Sequence, residues 1–497
     1  MSLDGIKVVK KTIPRSKNLR RADPVFWDFK KEEQSTTPKT DIKKELKTFL
    51  INNFTKRNIV AFLGSILIFA MLSVSASSYN LIRQNYDFLK LFINGKYLIL
   101  FQNNSEMRAT GGFIGSFAVI ETKNGATSDQ YFETNIYKRD NPYVKNHAVL
   151  PPDPVLKDFV PEGRWQMRDS NWAVDYPTAA QQIGWFYEQE VTPESQRAEI
   201  NGLGSGKESI DGIIAINATA MADLLKIIGP INLPEHNTVL TSDNFLSTIQ
   251  YKVEKEYFED SPNKEKNRET NEPKTILKDM MPIVMEKIKD RKYYRQVLDL
   301  MKKELSEKQI LFYFYDGAKE QIALNNGWAG EVKQTEGDYL YVNNSNLASN
   351  KSSLNTIEDL KLEVSVEDDG RTVNTLTITR SNKEDDIWPN GENINWVRVL
   401  VPYGAKIISA EMDKTGYLNH IHTKKEAGKT VFAFWMNTFP RYSHILKISY
   451  ELPIKFTDNN YELYVQKQPG NLGDDLEVYV NGSIKFSGFL NVDRDVK

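Results

Sequence analysis

The sequence predicts one transmembrane helix, an α/β domain outside the cytoplasm and a C-terminal all-β sandwich. Residues 59–78 (IVAFLGSILIFAMLSVSASS) carry no charge and are long enough to cross a bilayer as a helix. Strand and helix patterns then alternate up to about residue 350, as they do in α/β layers. From residue 357 onward, short alternating segments lie between Gly, Asn and Pro turns, which is typical of a sandwich.

The charge that flanks the apolar segment predicts its orientation. Residues 1–57 contain 15 Lys and Arg against 7 Asp and Glu, a net charge of +8, and positively charged flanks stay in the cytoplasm. A cleaved signal peptide is the alternative, because the small residues Ser73, Ser75, Ala76 and Ser77 resemble a cleavage region. A leader of this length is too long for an ordinary signal, so we favour an uncleaved anchor. In either case the C-terminal part leaves the cytoplasm.

Composition restricts the chemistry of the chain. It has no cysteine, which excludes disulfides, thiol catalysis and thiolate zinc sites. The whole chain has a net charge of −2, so the part after the basic tail is net acidic and has no electrostatic reason to bind nucleic acid. The predicted parts are a cytoplasmic, largely disordered tail (1–57), a transmembrane helix (58–82), an extracytoplasmic α/β domain (83–350) and a β-sandwich (351–497). The bilayer is the partner that residues 59–78 predict.

The α/β part is expected to begin with a helix and a β-hairpin. Asn124-Gly125 lies between two apolar segments, and this dipeptide is the strongest short hairpin signal. The elements predicted here are, in order, a helix over 79–92 and strands over 97–102, 113–121 and 131–137.

Strands and helices then follow one another. A strand over 210–216 and a helix over 218–228, closed by Gly229-Pro230, form one strand–helix unit. The polar segment 260–274 has few apolar residues and is predicted to be a mobile loop. The other predicted elements are helices over 178–189, 242–257, 275–289 and 292–304, a strand over 310–315, and sandwich strands over 360–366, 372–379, 396–401, 406–411, 430–436, 445–452 and 461–466.

Familiar nucleotide, metal and hydrolase motifs are absent from the sequence. The glycine cluster 201–209 (NGLGSGKES) has Asn201 where a phosphate loop has its first glycine, and Glu208 follows the lysine. There is no HExxH helix and no GxSxG elbow. We therefore predict no resident metal site and no Ser-His-Asp hydrolase.

A polar loop before the helix over 178–189 is the main candidate for ligand binding. Residues 163–181 (GRWQMRDSNWAVDYPTAAQ) gather guanidinium and carboxylate groups that can hold a phosphate and its metal ion, next to the amides of a helix start. The same residue types also build rigid loops through salt bridges and turn hydrogen bonds, and this alternative stays open. The candidates are Arg168, Asp169, Asn171 and Asp175, together with Arg108, which precedes paired glycines.

Five long motifs occur in order between about residues 98 and 470. They are NNSEMRATGGFIGSF, RDSNWAVDYPTAAQQIGWFYE, IDGIIAINATAMADLLKIIGPINLP, GDYLYVNNSNLASNKSS and YELYVQKQPG. With these motifs the chain resembles a bacterial family known as domain of unknown function 4012. The family has no assigned reaction, and the resemblance implies a membrane-anchored envelope protein.

The chain is also similar, more distantly, to the LytR-CpsA-Psr phosphotransferases, which attach polymers from polyprenyl-pyrophosphate carriers to cell walls. The similar features are a membrane anchor, an arginine before the first hairpin strand (Arg108), an Arg-Asp pair after the returning strand (Arg139 and Asp140) and a strand–helix–glycine unit over 210–231. This resemblance implies a layered sheet with helices, and it adds Arg139 and Asp140 to the candidate ligand-binding residues. Ala109-Thr110-Gly111 stands where those enzymes carry an acidic metal ligand.

Two functional hypotheses follow. In the first, the chain is an anchored envelope protein without an assigned reaction, and it binds a cell-wall polymer or another surface protein. In the second, it is a magnesium-dependent phosphotransferase acting on a polyprenyl-pyrophosphate-linked glycan. Arg108, Arg139 and Arg168 would bind the pyrophosphate, and Asp140 or Asp169 would hold the metal. Magnesium is a cofactor only under this second hypothesis, which also requires an apolar tunnel for the polyprenyl tail beside the arginines.

Overall fold

The computed structural model describes residues 88, 90–191, 210–288, 290–347, 350–457 and 460–497. The predicted membrane anchor and the glycine cluster 201–209 lie outside these described residues. Within them, none of the helices combines the length and the apolar character that a bilayer crossing requires. The described chain is mixed α/β, with several sheets and a strand-rich C-terminal region.

A five-stranded sheet forms the centre of the N-terminal half, in the order β3-β2-β1-β4-β7. The long strands β1 and β2 are antiparallel, whereas β1 and β4 are parallel and pair Gln102 with Asn217. A small antiparallel hairpin, β5-β6, lies outside this sheet. The strands are β1 (Gly95–Arg108), β2 (Gly111–Lys123), β3 (Ala126–Glu133), β4 (Gly212–Asn217), β5 (Ile231–Leu233), β6 (Thr238–Leu240) and β7 (Ile310–Phe314).

Helices connect these strands and cover the sheet. A π-helical segment, Tyr251–Asp260, continues directly from α4. The helices are α1 (Tyr137–Asn146), α2 (Tyr176–Val191), α3 (Ala218–Ile228), α4 (Phe245–Gln250), α5 (Lys264–Thr270), α6 (Thr275–Ile288), α7 (Tyr294–Ser306) and α8 (Gly317–Asn325).

Local sequence signals set several of these elements. Asn124 and Gly125 have φ angles of 53° and 74°, as the predicted hairpin turn between β2 and β3 requires. Gly229 ends α3 with a φ of 75°, a conformation that costs glycine little. All five residues of β7 are buried, because the sheet carries a core on each face. The hairpin, the strand–helix unit β4-α3 and the buried strand β7 are therefore confirmed.

Two apolar cores lie on opposite faces of the sheet. Alternate residues of β4 divide between them, with Ile214 and Ile216 in one and Ile213 and Ala215 in the other. The first core packs against α3, α6 and α7. The second packs against α2 and against side chains from the C-terminal strands, including Trp396. The sheet is thus covered by helices on one face and by a helix and strands on the other.

The C-terminal region contains two sheets that share one apolar core, so it has the sandwich-like arrangement predicted from the sequence. One sheet has seven strands, β13-β12-β16-β10-β9-β18-β19, and the other has six, β14-β15-β11-β8-β17-β20. The strands are β8 (Asp338–Asn346), β9 (Thr356–Val366), β10 (Thr372–Asn382), β11 (Asn395–Val401), β12 (Lys406–Met412), β13 (Thr415–Gly416), β14 (His422–Glu426), β15 (Lys429–Trp435), β16 (Ser443–Glu451), β17 (Leu463–Gln466), β18 (Asp475–Val480), β19 (Ser483–Phe489) and β20 (Arg494–Val496).

Strand β8 precedes residue 350 in the chain but lies between β11 and β17 of the six-stranded sheet. Its whole length is buried although it ends in four polar residues, Asn343–Asn346. Arg398 donates hydrogen bonds to the Asn343 side chain (3.0 Å) and to the carbonyl of Trp172 (2.9 Å). Asn343 in turn donates to the carbonyl of Ala109 (2.8 Å). We call this buried hydrogen-bonded contact between the five-stranded sheet and the sandwich the polar junction.

Two segments differ from the sequence-based prediction. The returning strand β3 ends at Glu133, and a helix begins at Tyr137 because the Asn135 side chain accepts a hydrogen bond from the Tyr137 amide (3.1 Å). The polar segment 260–274, predicted to be a mobile loop, contains α5. Its contacts to the π-helical segment, such as Asn267 Nδ2 to the carbonyl of Tyr257 (2.8 Å), supply the packing that its few apolar residues do not.

Candidate functional site

A cavity of about 820 Å³ lies between the five-stranded sheet and the helices α3, α4 and α6. Its volume falls in the range of roughly 300–1,000 Å³ that is usual for small-molecule sites. The cavity borders the ends of β1 and β4, where α3 begins at Ala218. Open α/β sheets commonly bind ligands beyond the carboxyl ends of parallel strands. We therefore consider this cavity the candidate functional site.

One part of the cavity wall is apolar. Strands β1 and β3 contribute Phe101 and Phe132, whose rings stack with centroids 6.4 Å apart. The helical side contributes Met221 from α3, Ile249 from α4 and Met280 from α6. Methionine side chains adapt to irregular apolar partners. This wall is suited to hold an apolar chain.

Another part of the cavity lining is charged. Arg108 lies at the end of β1 and forms an ion pair with Glu106 (2.8 Å), while its guanidinium lies over the ring of Phe113. Glu106 also pairs with Lys351, which extends from the loop after β8. Burial acting alone would raise the pKa of Glu106, but Arg108 and Lys351 together bring it below its ordinary value.

The short helical turn Met167–Asp169 brings Arg168 and Asp169 to the same lining. Asp169 lies 3.5 Å from Arg168 and 3.9 Å from Arg108. Burial raises the pKa of Asp169 to about 6, although both arginines act in the opposite direction. Two arginines and one shared carboxylate therefore stand side by side at the cavity.

On the side away from the cavity, Arg168 contacts one member of a pair of buried acidic residues. Its Nη1 donates to Asp140 Oδ2 (2.9 Å), and its guanidinium lies 4.5 Å from the centre of the Tyr137 ring. Asp140 is fully buried and contacts Glu190. Burial raises the pKa of Glu190 far above its usual range, and the nearby Asp140 charge raises it further. Glu190 therefore favours its protonated form beside Asp140.

The structure brings three of the seven predicted site residues to the cavity, namely Arg108, Arg168 and Asp169. Asp140 lies behind the lining as the buried partner of Arg168. The remaining three lie elsewhere. Arg139 pairs with Glu133 (2.7 Å). Asn171 donates to the carbonyl of Gly112 (2.9 Å), and Asp175 accepts from the amide of Thr178 (3.1 Å) at the start of α2.

Six charged residues of the lining were not predicted from the sequence: Glu106, Glu133, Glu254, Lys274, Lys278 and Lys351. Glu106 had a usable signal, because it lies two residues before Arg108 in the same strand motif. Lys274 ends the segment that was predicted to be a mobile loop, and Lys351 is remote in sequence from the other site residues. No local pattern connects these two lysines to the arginines.

The donor groups present do not fit a magnesium ion. In the part of the chain that the structure describes, no group of three or more His, Cys, Asp or Glu residues could hold a metal. The carboxylates at the cavity are already in contact with cations, Glu106 with Arg108 and Lys351, and Asp169 with both arginines. Magnesium sites instead offer carboxylate and substrate oxygens to the ion.

The family resemblance is confirmed for the part of the chain that builds most of this cavity. Residues 94–253 match the family described as "Protein of unknown function (DUF4012)". The match covers β1 to the π-helical segment and is shorter than the span of motifs that reaches residue 470 in the sequence. The family has no assigned function, so it identifies the domain without identifying a reaction. The chain matches no curated protein in sequence.

Several solved structures are similar to part of the chain at low sequence identity. A putative nutrient binding protein from Legionella pneumophila matches at 8% identity and a TM-score of 0.21, over 29% of this chain and 54% of that one. An M1 zinc metallopeptidase from Deinococcus radiodurans matches at 14% identity and 0.16, over 25% of this chain and 32% of that one. Leukotriene A4 hydrolase from Saccharomyces cerevisiae matches at 10% identity and a TM-score of 0.16, over 25% of this chain and 23% of that one. The chain thus spans about half or less of these proteins, and such scores carry no argument about function.

Proposed function

We propose that this chain is a single-pass membrane-anchored protein of the cell envelope that binds an amphiphile, a molecule with an apolar chain and a polar head. The ligand occupies the cavity beneath α3, α4 and α6. Its chain contacts the apolar wall around Phe101, Met221 and Ile249, and its head lies near Arg108 and Arg168. The anchor is the uncharged segment 59–78, and the binding domain lies outside the cytoplasm.

The observation that carries this proposal is the combination of an apolar wall and a charged lining in one cavity of about 820 Å³. Burying apolar surface stabilises a complex by roughly 25 cal/mol per Å², so the apolar wall favours a hydrocarbon chain. At the other part of the lining, Arg108 and Arg168 are paired with carboxylates, and a polar head can add hydrogen bonds to these charged groups. An amphiphile satisfies both parts of the cavity at once.

The envelope assignment is supported by the sequence around the proposed anchor. The tail before it has a net charge of +8, which favours a cytoplasmic location for that end. An envelope protein that faces away from the cytoplasm meets lipid-linked cell-wall precursors, of which a polyprenyl lipid is one example of a suitable amphiphile. Cell-wall polymers and surface proteins remain candidate partners for the sandwich.

The phosphotransferase is the second candidate function, because Arg108, Arg168 and Asp169 border a cavity with an apolar wall. In such a reaction the acceptor hydroxyl forms a new P–O bond and the bond to polyprenyl phosphate breaks. Arg139 does not border the cavity, and Asp140 is fully buried, so neither occupies the place that this hypothesis assigned to it. The poor fit of the carboxylates to magnesium also favours binding over transfer.

The proposal is tested by lipid that co-purifies with the full-length protein. We expect mass spectrometry of extracts from the purified wild type to contain an enriched long-chain amphiphile. Ile249→Trp fills the cavity and should reduce the enriched species at least tenfold. Ile484→Trp is the matched control, because Ile484 is 55% exposed on β19, away from the cavity. Equal lipid contents in all three proteins, or no enriched lipid in the wild type, would contradict the proposal.

Transfer is tested separately with a polyprenyl-pyrophosphate-linked glycan and a cell-wall acceptor. Release of polyprenyl phosphate that depends on the full-length protein would favour the transferase. Binding of the lipid-linked glycan without its turnover would favour the amphiphile-binding function.

A further inference from the structure

Most charges at the cavity are already neutralised by partners. Arg108 and Lys351 share Glu106, Arg168 is paired with Asp140, and Lys351 also lies 3.5 Å from Glu254. Together with Asp169, four carboxylates face these three cations. The three cations therefore provide no surplus positive charge for a ligand that carries several negative charges.

Lys274 differs from these three cations because its ammonium has no carboxylate partner within ion-pair distance among the described residues. It borders the cavity just before α6, and its ammonium is so close to β2 that a Cβ on Gly115 would lie 2.2 Å from Nζ. Among the residues that the structure describes, no ion pair or hydrogen bond involves this ammonium. Lys278 also borders the cavity, but it is exposed to solvent.

Lys274 is half-buried, and an ammonium without an ion pair is unfavourable in this position. Burial and the nearby positive charge of Lys351 lower the pKa of Lys274 to about 8, although the charges of Glu254 and Glu106 act in the opposite direction. An anionic group beside Nζ would remove part of this penalty and would form a charge-assisted hydrogen bond. Including Lys274, four cations then balance the four carboxylates, so the site accepts a small negative charge and opposes a large one.

We propose that Lys274 binds the head of the amphiphile and that this head carries a single phosphate group, not a diphosphate. This inference rests on the amphiphile-binding function and specifies the ligand class. Gly115 is part of the same arrangement, because any larger residue there would displace the ammonium. Arg108, Arg168 and Lys351 are held by carboxylates and orient the lining around the phosphate.

Competitive binding to the full-length protein in amphipol tests this inference. The readout is displacement of N-phenylnaphthylamine, an apolar fluorescent dye, by decanol, decyl phosphate, decyl diphosphate or inorganic phosphate. For the wild type we expect decyl phosphate to bind at least tenfold more tightly than each of the other three. No metal is added, so that protein charges alone discriminate among the ligands.

Lys274→Met should weaken decyl phosphate binding roughly 10- to 100-fold, as expected for the loss of one charge-assisted hydrogen bond. It should change decanol binding less than twofold. Gly115→Ala should weaken decyl phosphate selectively in the same direction, and Lys274→Arg should retain most of the affinity. Lys302→Met is the matched control, because Lys302 is an exposed lysine of α7 that does not border the cavity. Thermal unfolding of each variant verifies that it is folded.

The outcomes separate the two proposals. If neither decanol nor decyl phosphate displaces the dye from the wild type, the amphiphile-binding function itself is wrong. If both displace it equally and Lys274→Met has no effect, the function stands and the role of Lys274 is overturned. Tighter binding of decyl diphosphate, or equal binding of inorganic phosphate, would also overturn the single-phosphate head.

Discussion

The cavity and the polar junction differ in whether protein groups pair with their charged side chains. At the junction, Arg398 is fully buried, and its guanidinium reaches Asn343, Glu426 and the carbonyl of Trp172, so protein groups supply its partners. At the cavity, Lys274 has no such partner among the described residues. A charge removed from water needs compensation, which protein groups supply to Arg398 at the junction but supply less completely to Lys274 at the cavity.

The largest expected effect comes from breaking the junction with Arg398→Met. The change removes the contact to Trp172 and leaves Glu426 and Asn343 short of a donor. We expect a loss of about 3–5 kcal/mol in the free energy of unfolding, the range for breaking a buried ion pair. Denaturant unfolding of the full-length protein measures it.

Arg295→Met is the control for this prediction, because Arg295 is 93% exposed and 4.0 Å from its partner Asp299. Its removal should cost less than about 0.5 kcal/mol. If the two variants lose the same stability, the junction is not the region that holds the sheet and the sandwich together.

Arg168→Met should have the next largest effect, because Arg168 both lines the cavity and has a buried protein partner. It faces the cavity and also neutralises the buried Asp140. We expect a loss of about 2–3 kcal/mol, less than at Arg398, because Asp140 and Glu190 can take up a proton when the arginine is absent.

The pH dependence of the Arg168→Met variant checks this explanation. Without Arg168, the pKa of Asp140 rises further above its unfolded value, so the charged form is penalised and the stability deficit grows as the pH rises. Denaturant unfolding at pH 5 and pH 8 measures the deficit. A deficit that is larger at pH 5 than at pH 8 would contradict the expected rise in the Asp140 pKa.

Asp169→Asn provides a smaller effect within the cavity. The pKa of Asp169 is raised from 3.8 to about 6, so the folded wild type binds a proton more readily than the unfolded chain does. Relative to the variant, the wild type should gain about 1–2 kcal/mol as the pH falls from 7.5 to 5. Unfolding free energies of both proteins at the two pH values measure this gain, and a difference that is independent of pH would show that the Asp169 pKa is not raised.

Asp175→Ala is expected to give the smallest effect, because this residue belongs to neither region. Asp175 accepts hydrogen bonds from the amide and hydroxyl of Thr178 at the start of α2 and from the amide of Val332, so its removal should cost about 1 kcal/mol. Asp175→Asn retains an acceptor and should lose less. Equal amphiphile binding by both variants and the wild type would separate this candidate residue from the site, whereas selective loss of phosphate binding would return it to the site.

Local sequence features predicted much of the fold. The Asn124-Gly125 turn, the β4-α3 unit and the alternating strands of the sandwich-like region depend on residues that are close in the chain. The prediction was less accurate for 131–137 and 260–274, where contacts to other segments decide the conformation. The position of β8 in the six-stranded sheet could not be predicted from local sequence either, because its partners β11 and β17 follow much later in the chain.

The candidate site was predicted only in part, for the same reason. Composition identified Arg108, Arg168 and Asp169, which do meet at one cavity. It did not distinguish them from Arg139, Asn171 and Asp175, whose side chains satisfy other parts of the fold. Polar residue types indicate that partners are needed, but they do not identify which partners are present.

The sequence by itself determined the Asn124-Gly125 turn, the β4-α3 unit, the family motifs and the chemical types available, because periodicity, turn residues and composition act over short distances in the chain. Only the tertiary structure decided which charges neutralise one another and which ammonium at the cavity lacks an ion pair among the described residues. Lys274 lies far from Arg108 and Lys351 in the chain, yet all three border one cavity. Their relation depends on how helices and strands pack, since electrostatic interactions follow distance in space and local dielectric, not position in the sequence.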